Sequence, residues 1–405
     1  MSSPPVVIIG AGAAGLACAR VLHAAGRELQ IIEREFTPGG RIATATIGEF
    51  RCDRGFQVLV DSYPEAQRCL DYAQLRLGRF EPGAIVRYRG TCYRISDPLR
   101  RPLQALTTLR APFVRLAQVP ALHRLLHASG VPQRNLDEHL QAIGISTELR
   151  NAFLVPWLAG IFLDSKLGVR SDIAARLMRL FSTGSAALPA GGMHAIIAQL
   201  AAPLPTQAFH YGHDVSHLQA GRVTLANGEH IPASTIVVAV DPPAAARLLP
   251  GFTTPPGVAV TTVHLSLSGE LPWDGRYLLL DGDDEGVAVA YAAPSAVAAG
   301  YAPPGHHLVS ATILDSNASK NPDQAGPRVV AQLQRWFGPQ HAWQILRCDH
   351  IRYAKPRQYP HDAVVTGPQW SRGIYLCGDH TGEASLDGAL RSGRKAAEAM
   401  VRAGE

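Results

Sequence analysis

The sequence predicts an α/β protein with a discontinuous Rossmann-type domain joined to a second, α+β domain, and three observations carry that reading. First, the all-apolar run Val6–Ile9 breaks into Gly10-Ala11-Gly12-Ala13-Ala14-Gly15 ahead of a helix-forming stretch, Leu16 to Ala25. Next, the run from Glu28 through Ile32 closes in an acid, Glu33, eighteen residues beyond Gly15. Near the other end of the chain, Gly373-Ile374-Tyr375-Leu376-Cys377 is a further short apolar strand, closing in Gly378-Asp379. At 405 residues the chain exceeds the size at which one core keeps growing, so two domains are expected.

Each element has a physical reason. Gly10 permits the tight turn after the first strand, Gly12 lets the backbone approach a pyrophosphate, and Gly15 lets helix and strand pack closely. The N–H groups at Ala13 and Ala14 open the helix, where unpaired donors and the dipole favour phosphate. Glu33 is placed to accept from ribose hydroxyls, with Arg34 beside it at the same ligand. A carboxylate there repels a 2′-phosphate, which selects an adenosine without one, as in FAD or NAD.

Farther along come Thr37-Pro38-Gly39-Gly40-Arg41, the segment Arg51-Cys52-Asp53-Arg54-Gly55-Phe56-Gln57, and a hairpin through His213–Leu218 and Arg222–Leu225, with Asn227-Gly228 as a turn, leading into Thr235–Val240. The Gly-Gly-Arg segment, the middle Leu-Pro-Ala-Gly-Gly-Met-His-Ala-Ile-Ile beginning at Leu188, and the terminal stretch Gly378–Ala399 together resemble the flavin amine oxidase superfamily, which includes monoamine oxidases, protoporphyrinogen oxidases and carotenoid desaturases.

That resemblance spans both ends and the middle, and implies a flavin amine oxidase-like fold holding FAD; with no Cys or His placed for a flavin linkage, the FAD is expected to be non-covalent. It implies FAD-domain segments at 1–60, 205–255 and 345–405, and substrate-domain segments at 61–204 and 256–344. Gly39, Gly40 and Arg41 would face the pyrophosphate. Gly378 and Asp379 would meet the ribityl or phosphate region, and Val215 would touch adenine through its backbone. Gly55 and Phe56 would pass the flavin ring, and Ser385, Leu386 and Ala389 would start a helix aimed at its pyrimidine side. Ser392 and Gly393 read equally as cofactor contacts or as close-packing positions. No second GxGxxG follows a strand, so electrons are expected to leave to oxygen, a quinone or another external acceptor.

Amine oxidation in this superfamily commonly uses a lysine on the strand after the hairpin, yet Pro256–Leu265 contains none, and Ser385 stands where monoamine oxidases carry an aromatic. The run Ala384–Gly393 is instead similar to the corresponding helix of carotene desaturases. The expected activity is therefore oxidation of a small hydrophobic substrate by hydride transfer to flavin. Amine oxidation, and a non-redox flavoprotein with an isomerase or structural role, stand as alternatives. No catalytic side chain is assigned; Lys355 and Asp53 are the candidates, the first because the chain has only four lysines and this one lies shortly before the terminal Gly-Asp strand, where it reads as reaching the flavin edge or as a surface salt bridge.

Composition narrows the rest. A formal charge of +5 gives no nucleic-acid signature, and the six scattered cysteines and short His spacings give no metal motif. With no basic leader and no run long enough to span a bilayer, a cytoplasmic protein is expected. Residues 98–136 contain no acid but six arginines among leucines and valines, which reads either as a helical lid or as a peripheral membrane contact.

Overall fold

The computed structural model describes residues 4–97, 100–101, 104, 107–127, 130–314, 324–365 and 367–404. Its first large sheet runs Phe209–Tyr211, Leu29–Glu33, Val6–Ile9, Thr235–Val238, Ile374–Leu376 and Gln369–Ser371, the first five strands parallel and the last antiparallel. Ile8 lies between Ile31 and Val237 in register. The central strand is apolar at every position because both its faces are covered. Val6 and Ile8 pack with the helices Ala13–Ala24 and Leu386–Ala403, while Val7 and Ile9 face the three-stranded meander of Val215–Gln219, Arg222–Leu225 and His230–Pro232.

The first and last helices lie against each other so closely that a Cβ on Gly393 would stand 2.1 Å from the carbonyl oxygen of Ala14. This assigns Gly393 to packing. Ser392 supports the neighbouring strand end, its Oγ accepting from the N–H of Gly378 at 2.9 Å.

A second sheet of seven strands runs in the order Gln344–Pro356, Gly257–Ser268, His306–Leu314, Ala290–Ala292, Leu278–Asp281, Gly83–Tyr88 and Thr91–Ser96. Val86, Leu280, Ala290 and Leu314 on one of its faces share a core with helices including Val155–Phe162 and Ser171–Thr183. Val263, Leu265, Leu279 and Ala311 on the other pack against the helix Ala325–Phe337.

Two expected domain boundaries move. Gln344–Pro356 is an edge strand of the second sheet, paired antiparallel with Gly257–Ser268, so the chain re-enters the first sheet at Gln369 rather than at 345. A long edge strand read only for its apolar content looks like either domain, because its sides alternate between half-buried and exposed. Similarly, His194–Ala201 contributes Ile196, Ile197 and Leu200 to the core around the first helix, ahead of the boundary drawn at 205. Asn227-Gly228 turns between the second and third meander strands, since Ala220-Gly221 already connects the first two.

Candidate functional site

The glycine turn is built as its spacing requires. Gly10 has φ +103°, and its N–H donates to Ile32 O at 2.8 Å. A Cβ on Gly15 would lie 2.1 Å from Gly10 O, whereas one on Gly12, the residue that caps the helix, would meet no atom within 4 Å. Ala13 and Ala14 form the first turn of that helix, where backbone N–H groups have no intrahelical partner. The Gly-Gly-Arg loop docks on this turn: the Gly39 N–H donates to Ala11 O at 3.0 Å, and a Cβ on Gly40 would reach only Gly12 Cα, at 4.0 Å. Buried Glu33 accepts from the N–H groups of Ala11 (2.8 Å) and Glu35 (3.0 Å), which fixes its carboxylate at the end of the second strand. Arg34 points outward and pairs with Glu35 instead. Val215 opens the meander with its side chain buried beside Ile9 and Ile32.

The two ends of the chain meet at an ion pair. Arg41 donates to Asp379 Oδ1 at 2.6 Å and to Ala354 O at 2.9 Å. Burial opposes the Arg41 charge, but the adjacent Asp379 carboxylate more than offsets it and holds the guanidinium above its ordinary value. Beyond Gly378, His380 is buried with both ring nitrogens lacking a partner among the described residues, and burial pushes its pKa down to about 4. Free helix N–H groups, a cradle at Gly12 that a Cβ would fill, a fixed acid at the second strand and an Arg–Asp pair suit a dinucleotide with its pyrophosphate over the first turn.

At the opposite edge, Gly55 adopts φ +78°, and a Cβ there would stand 3.1 Å from Ile351 Cδ1 and 3.9 Å from Thr262 Oγ1. Thr262 Oγ1 is itself buried with no partner among the described residues. Phe56 packs edge-to-face on Phe80. Ser385 caps the last helix, accepting from the Gly388 N–H at 3.0 Å, with Leu386 half-buried and Ala389 buried just beyond it.

Sequence reasoning passed over a charged network at this helix start. Fully buried Asp387 accepts from the Glu65 N–H (2.7 Å) and pairs with Arg391 (3.0 Å) and Arg176 (3.4 Å), while Arg176 also reaches Glu383 at 3.0 Å. The network ties the helix start to the other domain. The i, i+4 spacing of Asp387 and Arg391 was its one local signal; Arg176 comes from a helix more than two hundred residues earlier.

The two catalytic candidates separate. Asp53 is buried and consumed by internal bonds: it accepts from Thr44 Oγ1 (2.5 Å), the Met193 N–H (3.0 Å) and the Tyr301 hydroxyl (2.6 Å). It braces the turn before Gly55. Lys355 is half-buried rather than at a surface salt bridge: its Nζ donates to Ile161 O at 3.2 Å and lies 5.1 Å from the Phe162 ring centre. No carboxylate stands within ion-pair distance of it among the described residues, and burial pushes its pKa down to about 8.

Only part of 98–136 lies within the described residues, including the helix Val119–His127. Arg100 donates to the carbonyls of Phe181 and Gly184, Arg101 to Glu81, Arg115 to Glu148 and Arg124 to Ile143 O. Leu109, Leu116, Val119 and Val131 are nonetheless exposed.

Residues 13–401 match the family model described as flavin containing amine oxidoreductase. A phytoene dehydrogenase from Streptomyces griseus is 28% identical, with 82% of this chain and 78% of that protein covered. Among solved structures, cyclohexylamine oxidase from Brevibacterium oxydans IH-35A superposes with a TM-score of 0.73 at 20% identity, covering 99% of both chains. Reduced UDP-galactopyranose mutase gives a TM-score of 0.73 at 15% identity, covering 99% of this chain and 96% of that one. At those identities the two structures share the fold with this chain. No described helix is long and apolar enough to cross a membrane.

Proposed function

Because this chain belongs to the flavin containing amine oxidoreductase family and is an FAD-dependent oxidoreductase, we propose that it dehydrogenates a hydrophobic, terpenoid-like substrate and passes the electrons to oxygen, a quinone or another external acceptor. FAD supplies the difficult chemistry, accepting a hydride from a substrate carbon, so no strong side-chain base is obligatory. The protein's own share is to fix the cofactor through the first helix, Glu33 and the Arg41–Asp379 pair, and to hold the start of the last helix where its dipole favours negative charge.

The observation that carries this reading is what stands where an amine nitrogen would need its partners. The strand Gly257–Ser268 offers Thr261 and Thr262 instead of lysine, and the last helix opens with Ser385 and Leu386 instead of an aromatic. The nearby Tyr359 is not free to replace that aromatic, because its hydroxyl donates to Asp164 at 2.8 Å and Arg357 stacks on its ring. The phytoene dehydrogenase relative agrees with a long apolar substrate.

Anaerobic mixing of the flavoprotein with a polyene in detergent, a porphyrinogen and a panel of amines tests the assignment. The polyene is expected to bleach the visible flavin band; bleaching by an amine alone would overturn it. Turnover to a product isomeric with the substrate, with no acceptor consumed, would instead establish an isomerase. Supplying the polyene in anionic vesicles examines 98–136 in the same experiment, since Leu116→Glu should slow bleaching from vesicles but not from detergent if exposed Leu109, Leu116 and Val119 meet lipid.

FAD is proposed to be held without a covalent link. Acid precipitation should therefore leave a colourless pellet and a yellow supernatant.

A further inference from the structure

The strand Gln344–Pro356 passes two residues expected at the cofactor, Gly55 and Arg41, just ahead of Lys355. Ile351 stands against Gly55, the carbonyl of Ala354 accepts from Arg41, and Lys355 follows directly. The ammonium of Lys355 sits at the last turn of the helix Val155–Phe162, within electrostatic reach of Asp379 and Arg41.

Its surroundings hold the charge without neutralising it. A carbonyl at a helix C-terminus and an aromatic face each attract a cation, and Nζ uses both, through Ile161 O and Phe162. The nearby carboxylates are engaged elsewhere: Asp379 by Arg41, Glu383 by Arg176, and Asp164 by the Tyr359 hydroxyl and the N–H groups of Lys166 and Gly168. A half-enclosed lysine in a chain with four lysines and 34 arginines, since the basic residues total 38, is also a specific choice. Lysine loses its proton far more readily than arginine when desolvated.

We infer that Lys355 is the cation that faces the flavin and stabilises the negative charge it carries when reduced. This rests on FAD binding and on no particular substrate. When two electrons and one proton are delivered, whether as a substrate hydride or by dithionite, the flavin gains one net negative charge, and the proton on Lys355 stays where it is. The interaction appears only in the reduced state, so it favours reduction rather than binding of oxidised FAD. Burial pushes the Lys355 pKa down to about 8 against the opposing pull of Asp379, Glu383 and Asp164, with Arg41 lowering it further. The charge, and with it the effect, is lost as pH rises through that value.

The test uses the FAD-loaded enzyme and its Lys355→Met and Lys355→Arg variants, reduced anaerobically against reference dyes with no substrate present, and with melting curves to confirm folding. At pH 7, Lys355→Met is expected to lower the equilibrium constant for flavin reduction about tenfold or more. Lys355→Arg should stay close to wild type. Above about pH 8 the wild type should fall toward the Met variant while Lys355→Arg does not. A lysine that merely caps the helix Val155–Phe162 would shift melting and leave the dye equilibrium unchanged, which would overturn the inference. Failure to take up FAD in the wild type would instead remove the cofactor reading itself. If Lys355→Met does not fold, Lys355→Gln carries the same expectation.

Discussion

Substituting alanine at Gly12 is expected to leave the apoprotein as stable as wild type and to weaken FAD binding at least about 100-fold, roughly 3 kcal/mol. Alanine at Gly15 should do the reverse first, by destabilising the fold itself. The two glycines lie three residues apart, and their surroundings bear out the different tasks that their places in the motif predict. Gly12 sits at φ −79°, which any residue adopts, and a Cβ there meets no protein atom within 4 Å. The methyl would project where the pyrophosphate must approach the first turn. At Gly15 alanine would ordinarily improve a helix by about 1 kcal/mol, yet its Cβ would stand 2.1 Å from Gly10 O and 3.2 Å from the Ala239 side chain. Relieving that overlap requires helix and strand to separate, at a cost of about 3 kcal/mol or more. Melting of the apoproteins and quenching of FAD fluorescence on titration distinguish the two effects. A Gly12→Ala variant that bound FAD as wild type does would mean that the phosphates do not cross this turn.

That contrast also marks how far the sequence could be read. The dinucleotide half was legible because its constraints are local: strand, glycine turn, helix and acid follow one another within 33 residues, and each glycine has a reason that spacing alone reveals. The terminal Gly378-Asp379 was legible for the same reason. What the sequence concealed depends on distant partners. Nothing near Asp53 announces that Thr44, Met193 and Tyr301 converge on it, and nothing near Asp387 announces Arg176. Residues 98–136 read as a basic helical lid or membrane contact, with nothing local to show that Arg115 and Arg124 turn back to Glu148 and Ile143. The rarity of lysine and its place shortly before the terminal Gly-Asp strand single out Lys355, but its enclosure depends on a helix almost two hundred residues earlier. The strand that carries it falls within the 345–405 segment expected of the FAD domain yet pairs with Gly257–Ser268, because an edge strand with one half-buried side has no compositional mark of its partner.

Asp53 gives the second large effect, on the fold rather than the chemistry. Asp53→Ala would leave the Thr44 hydroxyl, the Met193 N–H and the Tyr301 hydroxyl without their acceptor at a site only 5% exposed. The expected cost is about 3–5 kcal/mol. Asparagine keeps one acceptor oxygen for Thr44 and Met193, and the Tyr301 hydroxyl can rotate to accept from its amide, so Asp53→Asn should cost roughly 1–2 kcal/mol. The pH dependence of that deficit follows from the carboxyl itself. Burial raises its pKa, against the bonds from Thr44, Tyr301 and Met193 that favour the anion. The folded protein therefore holds this proton more tightly than the unfolded chain does, and the stabilisation this gives is complete below the ordinary carboxylate value and is lost as pH rises through the folded one. Asparagine does not titrate, so the stability gap between wild type and Asp53→Asn should be widest in acid and narrow toward neutrality. Flavin reduction by substrate in Asp53→Asn should stay within a few-fold of wild type. A variant that melted like wild type at every pH yet no longer transferred electrons from substrate would return Asp53 to the reacting centre, and would require that its three internal bonds give way when substrate binds.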